Sequence, residues 1–483
     1  MKQGKHSLIY FLGRGLTGLV NFFAITIYTR LLVPSEYGVY ALVSASVTLF
    51  NTVLYQWLRL VLLRFLPKSK TEEDQGRLYA SISLGFVLSS LLSVIIAAVY
   101  YFFNREDKTL SQLLLFGVIL LWFEAFFEIS LEYFRSNLKP TKYAAAFIVK
   151  SVAAILLGST LAYFHMGAWG LIVGILSADI IVSLIFFRPF ISRLASNFRN
   201  IDNAYFKTSL RFGLPITLSY AMTFIINSSD RYFIKYYMGD SATGMYAVGY
   251  DLARQSLWVI MTSMNLASYP LAVRALEQHG VEEANVQLSD NFILLIAVSL
   301  PAAIGMAVLA DRIAEVFVGR LFIKEVTVIV PMIAIGSFVA GLKNFYIDQS
   351  FQLGKKTHLQ IWSVIAAAAV NVILNIVLIP SIGIMGAIYS TLASFAIALV
   401  VSCMVSRFSY TMPFPKTGSI KILIASVLMG AGIYFLKAYI PGKTGLFVLV
   451  FIGLIIYCLI LSVSGILKVD LTNKKVSFNY SGN

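Results

Sequence analysis

The chain reads as an all-α polytopic membrane protein of about fourteen transmembrane helices, arranged as two six-helix lobes plus two C-terminal helices. Three observations predict this. The 483 residues are 58% hydrophobic with a mean hydropathy of +0.80, and only 13% are charged, against roughly 25% in a soluble globular domain. The apolar residues come in long continuous blocks, not in the alternating segments of about ten residues that a membrane β-barrel needs. The spans must then be helices, which satisfy their own backbone hydrogen bonds. Third, the basic residues concentrate in alternate loops.

At about 20 apolar residues per crossing, the expected spans are 7–33, 37–63, 78–103, 110–133, 142–164, 168–190, 208–237, 243–270, 290–310, 327–352, 357–379, 384–406, 419–440 and 444–467. One set of loops carries 23 Lys and Arg residues, from Lys2 and Lys5, through Arg64 and Arg188, to Lys474 and Lys475. The alternate set carries six: Arg105, Lys108, Arg312, Arg320, Lys324 and Lys443. With fourteen helices every rich loop has the same parity. Positive residues stay on the cytoplasmic side, so both termini are expected there, in a bacterial inner membrane. The net charge of +15 is this loop bias and calls for no nucleic acid. The start, MKQGKHSLIYFLGRG, is not read as a cleaved signal, because its apolar run continues past Tyr28 without a small-residue cleavage site. Cys403 and Cys458 lie in apolar runs and form no motif. The longest connection, about 188–208, is basic and too short for a soluble catalytic domain.

The chain also repeats itself. Tyr37-Gly38-Val39-Tyr40-Ala41 follows the first span, and Thr243-Gly244-Met245-Tyr246-Ala247 follows the seventh, an offset of 206 residues. Arginine opens each long helix, in Gly13-Arg14-Gly15 and in Arg211-Phe212-Gly213. The expected organisation is an N-lobe at 1–190, a cytoplasmic connection at 191–207, a C-lobe at 208–406, and helices thirteen and fourteen with a tail at 407–483. Repeated halves are a common transporter plan, with substrate bound between them.

Charges inside the spans mark candidate sites, since hydrocarbon tolerates them only against a protein interior or a water-filled path. In NSSDRYFIKYY, residues 227–237, Asn227, Asp230, Arg231 and Lys235 fall within an arc of about 140° at helical spacing. That stripe is expected to face a cavity, although Lys235 is also placed to snorkel to the boundary. Asp251 and Arg254 follow on the next span, where pairing of Asp230 with Arg254, or of Asp251 with Arg231, is one reading. In the first lobe Arg14, Thr17 and Asn21 share a face, and Arg59 and Arg64 sit in span two. Glu124, Glu128 and Glu132 point one way from span four. Lys150 on span five lies at the depth of Glu128, a pairing expected to be structural. Asp179, Lys343 and Asp348 also lie within spans. Arginines from both lobes favour an anionic solute, because guanidinium pairs bidentately with phosphate.

TRLLVPSEYGVYAL at 29–42, the seventh-span stretch, and NVILNIVLIPSIGIMGAIYSTLAS at 371–394 resemble the polysaccharide-transport branch of the multidrug/oligosaccharidyl-lipid/polysaccharide exporter superfamily, which includes O-antigen and exopolysaccharide flippases. The resemblance covers about 1–470. It implies two lobes around a central cavity, alternating access, and an undecaprenyl-pyrophosphate-linked oligosaccharide turned from the cytoplasmic to the periplasmic leaflet. It implies membrane lipids as partners, and a polymerase and export machinery downstream. Arg14 and Arg59 match basic first-lobe positions facing the cavity. Arg231 and Arg254 are similar in the second lobe, with Lys235 beside them. The sodium site of a lipid-II-flipping relative would fall on Asp230, Asn371, Asn375, Ala387 and Thr391. Asn375 departs from the acid found there. The alternative is that Asn371 and Asn375 bond between helices, and a proton on Asp230 or Asp251 is an equal alternative to Na+. No resident cofactor is implied.

A cation-coupled multidrug exporter of the same superfamily is the alternative. It would favour an acidic pocket, which the arginines oppose and the Glu124–Glu132 stripe favours. A membrane glycosyltransferase, polymerase or ligase fits worse. The chain contains no Asp-x-Asp, and His6, His165, His279 and His358 are scattered.

Overall fold

The computed structural model describes residue 20 and residues 22–103, 108–470 and 475–478. Arg14, Thr17 and Asn21 lie outside the described residues. Almost everything described is helix. Ten stretches among these residues are long and apolar enough to cross a bilayer, and the chain is a multi-pass membrane protein. It forms two compact units, 1–244 and 245–483.

The first unit contains α1 (Phe22–Leu31), α2 (Pro34–Phe50), α3 (Gln56–Phe65), α4 (Glu72–Phe103), α5 (Lys108–Ser136), α6 (Pro140–Leu161), α7 (Gly167–Phe186), α8 (Arg188–Asn197) and α9 (Asn203–Met238). Local chemistry sets several starts. Pro34 opens α2 with its fixed φ, and the Glu36 carboxylate accepts the Val33 N–H at 3.2 Å. Asp202 caps α9 by accepting from the Ala204 and Tyr205 N–H groups at 2.9 and 3.1 Å. Helix α5 is the hub, packing on α2, α3, α4, α6 and α7. Its cytoplasm-expected end is aromatic: Tyr133 stacks on Phe190 at 4.7 Å and Phe134 meets Phe187 at 5.0 Å. Arg193 donates to the Tyr79 hydroxyl at 3.1 Å, fastening α8 to α4.

Helix α10 (Asp240–His279) leads into the second unit, followed by α11 (Val281–Val308), α12 (Ala310–Phe317), α13 (Ile323–Leu342), α14 (Gln349–Leu353), α15 (Gln360–Ile382), α16 (Ile384–Ser406), α17 (Lys416–Leu436) and α18 (Thr444–Val463). Helix α11 packs on α13, α17 and α18, and α13 on α16. The Tyr457 hydroxyl donates to the Ala297 carbonyl at 2.7 Å, joining α18 to α11. Strands β1 (Leu467–Asp470) and β2 (Lys475–Phe478) pair antiparallel beyond α18.

Two expected spans are broken by π turns. Span 37–63 is α2, a π turn at Asn51–Tyr55, and α3; span 327–352 is α13, a π turn at Lys343–Ile347, and α14. Each turn inserts one residue into the helical ladder, as π turns at functional sites often do. The hydrophobic pattern does not register one extra residue. A second repeat also emerges. Gly167-x-x-Gly170 joins α6 to α7, and Gly383-x-x-Gly386 joins α15 to α16, 216 residues on. Gly167 and Gly383 take φ of 53° and 64°, a region glycine enters freely.

The first repeat has a physical use. A Cβ on Gly38 would meet the Asp240 carbonyl oxygen, and one on Gly244 would meet the Pro34 carbonyl oxygen. The two repeat glycines therefore let the starts of α2 and α10 pass backbone to backbone. Replacing Gly38 or Gly244 by Ala should destabilise the protein by about 1–3 kcal/mol or more, because backbone must move. Gly305, where a Cβ meets nothing within 4 Å, should gain about 0.5–1 kcal/mol from Ala in its helix. Thermal unfolding in detergent separates the two cases. Equal behaviour at the three positions would refute the close crossing.

Candidate functional site

In the first unit the middle of the polar stripe of α9 is buried, and Asn227 and Lys235 at its ends are half-buried. Asp230 is 1% exposed and Arg231 9%. The next residue, Tyr232, shares a 2.9 Å hydrogen bond with Ser46, tying this turn to α2. Lys235 reaches across the Gly239 break to Asp240, Nζ to Oδ2 2.6 Å. Its ammonium is held at the start of α10.

Arg59 on α3 pairs with Glu128 on α5, and Glu128 also accepts from Asn51 Nδ2 at 3.1 Å. Asn51 begins the π turn between α2 and α3, so that turn helps position the pair. Arg59 and Arg231 are not brought together. Trp57 lies against Gly213 and Phe206, and Arg64 covers the Phe212 ring at 4.5 Å. Arg59 is thus level with the first half of α9. Gly213 and Arg231 are about 27 Å apart along that helix at 1.5 Å per residue. Basic side chains therefore stand at two depths.

The expected Lys150–Glu128 pairing is wrong. Lys150 Nζ lies 3.1 Å from Asp179 Oδ1 on α7 and 5.1 Å from the Phe127 ring centre. Depth along the spans was right, but direction around α5 decides the partner, and Glu128 turns toward α3. Glu132 pairs with Arg135 at 3.4 Å, while Glu124 acts electrostatically on both Lys150 and Asp179. Two acids of the stripe, Glu128 and Glu132, are thus divided between two basic partners.

In the second unit Asn375 Nδ2 donates to Asn371 Oδ1 at 3.1 Å, and both are fully buried on α15. Buried Thr391 on α16 meets the Tyr246 hydroxyl at 3.3 Å. Tyr246 is the tyrosine of the second repeat. Arg254 lies over its own helix's rings, 4.9 Å from Trp258 and 5.8 Å from Tyr250, a cation–π setting. Asp251 is half-buried one turn earlier. Among the described residues no group of three His, Cys, Asp or Glu is placed to hold a metal ion.

One polar node was only half legible. Lys343 and Asp348 are five residues apart, a spacing that an α-helix turns to different faces. The π turn brings them together at 2.6 Å. Asp348 also accepts from Gln360 Nε2 at 2.8 Å and from Ser402 Oγ at 2.7 Å, linking α14, α15 and α16. Gln360 and Ser402 gave no sequence signal.

Residues 27–327 match the polysaccharide biosynthesis protein family. A protein of the Lsg locus of Haemophilus influenzae is 23% identical, covering 85% of this chain and 100% of its own length. The "Probable lipid II flippase MurJ" of Thermotoga maritima is 23% identical over 83% of both chains. The "Probable low-salt glycan biosynthesis flippase Agl15" of Haloferax volcanii is 20% identical over 95% of both. Among solved structures, a lipid II flippase MurJ in an inward closed conformation superposes with a TM-score of 0.77 at 16% identity, covering 94% of this chain and 98% of that one. An inward-facing multidrug resistance transporter of the MOP superfamily gives 0.64 at 13% identity, covering 81% and 94%. The fold is that of this superfamily.

The Asp348 node yields a stability test. Asp348→Ala would leave a buried ammonium and two other donors unanswered, and should cost about 3–5 kcal/mol. The double change Lys343→Met/Asp348→Leu should recover most of it. Thermal unfolding of both variants decides, and an unaffected single variant would sink the node.

Proposed function

The chain belongs to the polysaccharide biosynthesis protein family, and from that membership we propose that it flips undecaprenyl-pyrophosphate-linked oligosaccharide repeat units from the cytoplasmic to the periplasmic leaflet for cell-surface polysaccharide assembly. The observation that carries this reading is basic side chains held inside spans at two depths, Arg59 on α3 and Arg231 on α9. A pyrophosphate crossing the membrane needs cationic stations along its way, because an anion in hydrocarbon is as costly as any other charge. Arg14, Arg254 and Lys235 complete the proposed set. The two lobes, 1–190 and 208–406, alternate access around it, with both termini cytoplasmic in the inner membrane.

The names of the relatives support this reading, since one is named a probable lipid II flippase and another a probable low-salt glycan biosynthesis flippase. Nothing in those names describes catalysis. Coupling is assigned to Na+ or H+ at Asp230, Asp251, Asn371, Asn375 and Thr391. For Na+, Asn371 and Asn375 would supply amide oxygens and Thr391 a hydroxyl, hard donors that suit such a cation; H+ would instead be taken up by the carboxylate of Asp230 or Asp251. Arg59 is engaged by Glu128 in this structure. Substrate phosphate competes with that carboxylate, and the exchange gives the pair its place in the cycle.

Purified protein in vesicles with a labelled undecaprenyl-pyrophosphate oligosaccharide should expose sugar to an external enzyme. Arg231→Ala should slow this more than about tenfold, the loss of at least one charge-assisted hydrogen bond. No movement with several sugar heads, together with efflux of an organic cation, would transfer the protein to the drug-exporter class.

A further inference from the structure

Between α4, α5 and α8 the first unit holds a cleft of about 1030 Å³, at the upper end of small-molecule pockets. Its walls are apolar and aromatic: Phe86 from α4, Trp122 and Phe126 from α5, and Leu194 from α8, with Phe198 and Arg199 at the rim. The cleft touches none of the residues assigned above to pyrophosphate or to the coupling ion.

We propose that this cleft binds one anionic phospholipid of the surrounding membrane, its acyl chains among the aromatic walls and its phosphate against Arg199. Charge argues for the head. Arg199 is exposed and has no carboxylate partner among the described residues. It belongs to the connection that also carries Arg188, Arg193 and Lys207, on the side where basic loops gather. Basic pockets between spans on that side suit anionic lipid heads. Arg193 is already engaged with Tyr79, so it holds the cleft's third wall in place and leaves Arg199 for the ligand.

Position argues against the transported lipid as occupant. At 100° per residue, Trp122, Phe123, Phe126 and Ile129 lie on average about 150° around α5 from Glu124, Glu128 and Glu132. The cleft thus occupies the face of α5 opposite Arg59–Glu128 and Lys150–Asp179. The proposal stands independently of the flippase reading.

The full chain, delipidated in detergent, is titrated with phosphatidylglycerol, with phosphatidylcholine of the same acyl chains, and with undecaprenyl phosphate, and retained lipid is read by native mass spectrometry. The expected result is one phosphatidylglycerol per chain, held about tenfold better than phosphatidylcholine and weakened by salt. Arg199→Glu should remove that preference, and Ser83→Trp, which fills the cleft, should remove both lipids. Should Ser83→Trp fail to fold, Val87→Trp at the exposed edge serves in its place. Equal retention of the two phospholipids, full retention by both variants, or retention of undecaprenyl phosphate in preference to phosphatidylglycerol would each overturn the proposal.

Discussion

A charge inside a bilayer must be answered from within the protein, and the placement of helices here follows from that constraint. Three cations in the spans show it. Arg59 is answered by Glu128, Lys150 by Asp179, and Lys343 by Asp348. The first two ion pairs join different helices, and the third closes a π turn. Apolar packing alone would leave α3, α6 and α7 free to rotate against α5, because lipid and leucine are equivalent neighbours in hydrocarbon. The ion pairs remove that freedom. Arg59–Glu128 fixes which face of α5 meets α3, and Lys150–Asp179 fixes α6 against α7.

The same constraint explains what the sequence disclosed. Apolar runs locate the spans to within a few residues for most helices, and Asp230 and Arg231 lie on a buried turn of α9 with Lys235 half-buried beyond them. Depth is readable because it is counted in residues from a boundary. Direction is not, because it depends on every turn between the boundary and the residue. A single π insertion shifts the face of everything beyond it. Direction around α5 decides why Lys150 meets Asp179 and not Glu128, and the π insertion is why the join of Lys343 to Asp348 is invisible at a spacing of five. Gln360 and Ser402 are ordinary polar residues whose part in the Asp348 node depends on three helices meeting.

Function was legible at the level of class. Arginines inside the spans are the ground for proposing an anion, and the family adds polysaccharide biosynthesis. The structure divides the basic residues into two depths, which a list of cations could not reveal. It also shows Arg59 and Lys235 engaged with carboxylates. Binding an anion to either means displacing an intramolecular partner. Under the proposed function, affinity for phosphate would be a difference between two strong interactions, which suits a transporter that must release what it binds.

The crossing of Gly38 and Gly244 carries a further consequence. Each glycine makes room for the helix start that belongs to the other half of the repeat. Most positions of two similar segments can be substituted one at a time. These two cannot drift separately, since a side chain gained in one copy collides with the backbone of the other. The crossing thus binds one position of the first repeat to its counterpart in the second.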